Sequence, residues 1–130
     1  RQRINAMFQI ETKMNPTGFP PVADTLPRAV ERIVSVLKPE KIILFGSYAS
    51  GDPNHDSDVD LLVIMKLTGD YKEKYRAISM LLYPRQFPVD IILKTPKDVA
   101  DALKGGKDNS FFIREILKKG KILYDRNKRT

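Results

Sequence analysis

Residues 41–65 read KIILFGSYASGDPNHDSDVDLLVIM, and this stretch decides how the rest of the chain is read. Two apolar runs flank a polar loop. The first, Lys41-Ile42-Ile43-Leu44-Phe45, reads as a buried strand that stops at Gly46-Ser47. The second, residues 59–66, is apolar at consecutive positions, so both of its faces are expected to be covered. A strand of that kind sits in the middle of a sheet with helices on either side, which places the chain among α/β (α+β) folds.

Three features of this frame carry chemistry. Glycine lets the backbone come close to an anion, and the amides that follow Gly46, with the Ser47 hydroxyl, can donate to phosphate oxygens. Taken alone, a Gly-Ser after a strand also reads as a plain turn. Asp58 and Asp60 stand on either side of Val59; on a strand they share a face, with Cα atoms about 6–7 Å apart. Two carboxylates so placed can converge on a hard cation, and magnesium commonly takes one or two carboxylates together with substrate phosphates. The alternative is a polar loop capping the strand. Against it, Asp60 directly abuts Leu61-Leu62-Val63-Ile64, where an unpaired carboxylate is costly. Asp90, inside Val89-Asp90-Ile91-Ile92-Leu93, reads either as a strand-end acid reaching water or as the third member of the cluster. Three such acids repel: two unit charges 4 Å apart cost about 4 kcal/mol at an effective dielectric near 20. Without metal, at least one carboxyl pKa should therefore rise.

Outward from this core, Leu26, Val30, Ile33, Val34 and Leu37 recur at helical spacing, which predicts a helix over residues 25–38. Asp24 or Thr25 would cap it, Pro27 would sit in its first turn and Pro39 would stop it. Asp70 caps a second helix with Tyr71, Tyr75, Ile78, Leu81 and Leu82 on its apolar face and Lys74 as the polar exception. Residues 89–94 form a third strand. Thr95-Pro96-Lys97-Asp98 has the form of a capped helix start, and that helix, with Val99, Ala102 and Leu103, ends at Gly105-Gly106. A last helix over residues 109–119 carries Phe112, Ile113, Ile116 and Leu117 inward, ends at Gly120 and leads into a short strand over 122–124. Residues 1–23 read as an arm or linker, extended through Pro16, Pro20 and Pro21, and residues 125–130 as a basic tail.

Composition sets the outer limits. A chain of 130 residues and 14.9 kDa suits one domain with a single core. With no cysteine there are neither disulfides nor thiolate metal sites; a reducing compartment is permitted without being required, and the cytoplasm is the expected setting. No apolar run approaches the roughly 20 residues a bilayer demands, and no signal peptide is read at the start. The net charge of +7 and pI near 9.7 favour anionic partners, nucleotides and nucleic acid among them, although scattered solvated lysines account for the same balance.

Gly46-Ser47, the loop over 48–57, Asp58-Val59-Asp60 and then Asp90 together resemble the minimal nucleotidyltransferase (MNT) pattern of the DNA polymerase β-like superfamily. The resemblance covers residues 24–124, and it implies the polymerase β-like fold, a mixed central sheet flanked by helices. It further implies that Gly46 and Ser47 grip the triphosphate of ATP, and that Asp58 and Asp60 bind two Mg²⁺ ions. By the same resemblance Asp90 binds the catalytic metal and helps activate an acceptor hydroxyl. One departure stands out: the position after Ala49, often Arg or Lys in such sequences, is Ser50. Lys66 and Lys94 are poor substitutes, each about 13–20 Å along a strand from the acids. His55 reads as a solvated loop residue or a nucleotide contact, and Tyr48 as packing or a base contact.

Chains of this size resemble the antitoxin half of HEPN–MNT toxin–antitoxin pairs. The resemblance implies transfer of AMP from ATP to a tyrosine of the HEPN toxin, which silences that RNase. Two other functions fit the same sequence. One is an antitoxin that acts by binding alone; the other is a small-molecule or RNA nucleotidyltransferase completed by a second subunit.

Overall fold

A computed structural model describes residues 22–53, 57–84, 87–105 and 110–127. The expected arm up to Pro21, His55, Gly106, and Lys128 and Arg129 of the tail lie outside these.

In chain order the elements are α1 (Val22–Leu37), β1 (Lys41–Phe45), α2 (Ser47–Ser50), β2 (Val59–Ile64), α3 (Tyr71–Leu81), β3 (Val89–Lys94), α4 (Pro96–Lys104), α5 (Ser110–Lys119) and β4 (Lys121–Asp125). The strands form one four-stranded sheet in the order β3-β2-β1-β4. β1 runs antiparallel to β2 and to β4, whereas β2 and β3 are parallel, so the sheet is mixed. α3 makes the crossover between the two parallel strands.

As expected from its continuous apolar sequence, β2 is interior. Val59, Leu61 and Val63 join the larger cluster beneath α1 and α3, while Leu62 and Ile64 face a smaller cluster built with Ile43 and Ile116. Val99 of α4 and Leu117 of α5 pack against this second cluster. Each sheet face thus carries its own pair of helices. Among the described residues no helix is long and apolar enough to cross a membrane.

α1 differs from expectation at its start. It is already helical at Val22, so Val22 and Ala23 are not arm, Asp24 and Thr25 are not caps, and Pro27 lies inside the helix. An internal proline costs about 3 kcal/mol. Burial of Val22, Leu26, Ala29, Val30, Ile33 and Val34 offsets it, each large aliphatic contributing about 1.5–3 kcal/mol. At the other end Lys38 turns into the left-handed region (φ 50°) and Pro39 follows, which closes the helix where the sequence places its end.

α3 is capped by Asp70, whose carboxylate accepts from the Lys72 amide at 3.0 Å. Its inward face is also shifted from expectation. Ile78 and Leu82 are buried and Lys74 and Leu81 half-buried, but Tyr71 and Tyr75 are exposed and stack on each other with ring centroids 6.4 Å apart. A phenol is amphipathic, and the apolar stem of Lys74 can cover core as well as a tyrosine ring can. The capping box of α4 is complete: Thr95 Oγ1 accepts from the Asp98 amide and Asp98 Oδ2 from the Thr95 amide, both at 3.0 Å. After α5 the chain reverses at Gly120 against β1. A Cβ there would lie 2.5 Å from Ile43 Cγ2 and 2.6 Å from the Ile116 carbonyl oxygen, so the close approach of α5 to the sheet requires glycine.

Candidate active site

The site is built where β1 ends and β2 and β3 begin. In the β1–β2 ladder Phe45 lies opposite Asp60, and in the β2–β3 ladder Asp60 lies opposite Asp90. Residues directly opposite in a sheet project from the same face, so Asp90, Asp60 and Phe45 form one row across three strands. Asp58 lies just ahead of β2, and its charge reaches Asp60. The Val59 amide donates to the Pro88 carbonyl at 2.8 Å, which locks β2 and β3 in this register just ahead of the acids.

Gly46 closes the site from the β1 side. Its φ of 79° is in the region that favours glycine, and a Cβ on it would lie 2.2 Å from Asp60 Oδ2. The backbone of the Gly-Ser turn therefore rests directly against the Asp60 carboxylate. α2 starts at Ser47; no side chain caps it, and the first amides of a helix have no acceptor within the helix. Those of Ser47 and Tyr48, which precede the amides bonded to the Gly46 carbonyl, are placed to meet an anion. The Ala49 and Ser50 amides close the turn on the Gly46 carbonyl, each at 3.1 Å.

Electrostatically the row is strained in the expected sense. Burial pushes the Asp60 carboxyl above its usual range, and the nearby charges of Asp90 and Asp58 push it further. Strand register sets Asp60 beside Asp90, and Asp90 and Asp58 are both near enough for their charges to act on Asp60. Asp60 is half-buried, whereas Asp58 and Asp90 are exposed and can turn toward a ligand. Among the described residues no three carboxylate or imidazole side chains stand close enough to hold an ion unaided. The donor set nevertheless suits a hard divalent cation, because magnesium needs only one or two carboxylates when phosphate and water fill its remaining positions.

The remaining candidates separate cleanly. Tyr48 packs against the larger core cluster, and burial raises its phenol pKa. Ser50, standing where a cation was expected, donates its hydroxyl to the Ser47 carbonyl at 3.1 Å and so stiffens the turn. Lys94 pairs with Ile64 at the far end of the β2–β3 ladder, away from the acids, and its charge acts on Asp98 instead. Phe112 was expected inward on α5, yet it stands half-exposed beside this row and meets Phe45 edge to face, with centroids 5.8 Å apart. Helical periodicity alone could not reveal that, because it does not say where along the sheet a helix ends its cover.

The family described as polymerase beta, nucleotidyltransferase, matches residues 30–129. A candidate protein adenylyltransferase of Methanocaldococcus jannaschii is 32% identical over 103 residues, covering 75% of this chain and 96% of its own. Among solved structures, a candidate nucleotidyltransferase from Sulfolobus solfataricus superposes with a TM-score of 0.55 at 20% identity, over 81% of each chain. A mutant of the toxin–antitoxin MntA–HpeT superposes with a TM-score of 0.54 at 19% identity, over 77% of this chain and 73% of that one.

Proposed function

The chain belongs to the polymerase β nucleotidyltransferase family, and from that premise we propose that it transfers AMP from ATP to a hydroxyl of a partner protein, a tyrosine of a HEPN-type toxin, as the antitoxin of the pair. The observation that carries this reading is the row of Asp60 and Asp90 in register with the glycine turn pressed against Asp60.

Each residue has a role that its position supports. Gly46 and Ser47 hold the β- and γ-phosphates through the turn's amides and the serine hydroxyl. Asp58 and Asp60 would hold two Mg²⁺ ions, with Asp90 as a further ligand of one of them. When bound, such a pair neutralises charge on both the attacking and the leaving oxygen of an in-line displacement. Asp90 orients the acceptor hydroxyl and takes its proton as the oxygen bonds to the α-phosphorus; the bond from that phosphorus to the α–β bridging oxygen breaks, and pyrophosphate leaves. A partner protein supplies the acceptor side, and Asp58 and Asp90 are exposed to it.

The test is transfer of label from α-labelled ATP to a co-purified HEPN partner in the presence of Mg²⁺. Labelling should vanish in Asp58→Asn and in Asp60→Asn. Labelling that persists in either variant refutes the assigned chemistry.

A further inference from the structure

Phe112 is an aromatic ring left half uncovered at the edge of the acidic row. Its helix neighbours Ile113 and Ile116 are 4% exposed, but Phe112 is 49% exposed and Phe111 64%. A ring in that condition contributes little to the core and keeps a large apolar area in water. It meets Phe45 edge to face, the two rings standing at 87°. Phe45 itself lies opposite Asp60 and directly before Gly46. Asp90, Asp60 and Phe45 therefore form one row across three strands, about 5 Å apart, and Phe112 contacts the last of them with ring centroids 5.8 Å apart.

A nucleoside triphosphate has a matching polarity, with an anionic end that needs donors and cations and an aromatic end that needs a flat apolar partner. We infer that Phe112 is the stacking platform for the nucleobase. With the triphosphate on Gly46-Ser47 and the α-phosphate at the acids, the ribose passes Phe45 and the base lies on the exposed part of the Phe112 ring. The inference rests on the reading of Gly46, Ser47 and the three aspartates as a nucleotide site. It also states a specificity. A phenyl ring offers a face and no hydrogen bond, so it selects by stacking area, purines above pyrimidines, and does not read base edges.

Calorimetric titration of the full chain with two ligands, ATP and inorganic tripolyphosphate, each with Mg²⁺, tests this. Phe112→Ala should weaken ATP about tenfold, the order expected for one stacked base, and leave tripolyphosphate unchanged. Phe112→Leu, which keeps the apolar bulk, should behave as the alanine variant does. Phe112→Trp should keep ATP affinity, and because the chain has no other tryptophan its indole fluorescence should be quenched by ATP and not by tripolyphosphate. ATP binding that survives Phe112→Ala, equal loss of both ligands, or an indole that ATP does not quench would each overturn the inference. A wild-type chain that binds tripolyphosphate as tightly as ATP overturns the platform alone. One that binds neither overturns the underlying site as well.

Discussion

Asp60 and Asp98 each sit at the start of a secondary-structure element near the same sheet, and the fold treats them in opposite ways. Asp98 receives the Thr95 amide and hydroxyl contacts of a complete capping box, with Lys94 and Lys97 nearby, and its carboxyl is held below the usual range chiefly by that backbone hydrogen bond. Among the described residues no such donor reaches Asp60; burial first, then Asp90 and Asp58, raises its carboxyl. A carboxylate satisfied within the chain serves the chain's stability. A carboxylate crowded by its own kind is held for something that arrives from outside, because only an added cation turns that repulsion into attraction.

Removing one acid from each place should sharpen the contrast most. Asp60→Asn or Asp58→Asn should lower transfer by about a thousandfold, the loss of several kcal/mol of transition-state stabilisation. Asp98→Asn should leave the rate of the folded protein unchanged. A comparable rate loss in both would erase the distinction. Next in size is Gly46→Ala, which both strains a backbone at φ 79° and drives a methyl into Asp60 Oδ2. It should abolish nucleotide binding by titration while costing stability on the order of 1–3 kcal/mol. An alanine variant that binds ATP normally would mean that the turn does not cradle phosphate.

The same contrast shows what was legible in the sequence. Both carboxylates were readable because their signals are local: Thr95-Pro96-Lys97-Asp98 specifies a capping box by spacing alone, and Asp58-Val59-Asp60 ahead of an apolar run marks acids at the start of a strand. The meeting of Asp60 with Asp90 was only conditionally readable, since strand neighbours depend on the crossover that α3 makes, and register is a tertiary property. Three features escaped because packing decided them. α1 extends back to Val22 past an internal proline since a buried apolar face outweighs one missing amide. Tyr71 and Tyr75 turned outward because Ile78 and Leu82 set the inward face of α3. Phe112 fits the apolar period of α5 but stands half-exposed, outside the smaller cluster that Ile116 and Leu117 join.

Of smaller size are the effects on stability. Thr95→Ala should destabilise by about 1 kcal/mol through loss of the cap, measured by denaturant titration, with no change in the response to Mg²⁺. Asp60→Asn should raise the melting temperature of metal-free protein by relieving repulsion, and should weaken the further rise that Mg²⁺ gives wild type. A lower melting temperature for metal-free Asp60→Asn would mean that the acids are not crowded.

The smallest effect is also the most discriminating, because pH separates the two carboxylates by sign. Asp60 holds its proton more tightly folded than unfolded, so its charge opposes folding at neutral pH. That opposition fades as pH falls through the raised folded pKa, and it is gone below the ordinary aspartate value near 3.9. Asp98 holds its proton less tightly folded, so its charge favours folding at every pH above that ordinary value. Its contribution is lost only as pH falls further, through the depressed folded pKa. In chelator-treated protein, the advantage of Asp60→Asn over wild type should therefore shrink between neutral pH and about 4, while the deficit of Asp98→Asn should hold through that range and shrink only below it. Asp98 is exposed and Asp60 only half-buried, so the differences will be modest, but the two windows lie on opposite sides of one pH. If both differences shrink in the same window, the two carboxylates share one kind of environment and the contrast between a structural acid and a reserved one fails.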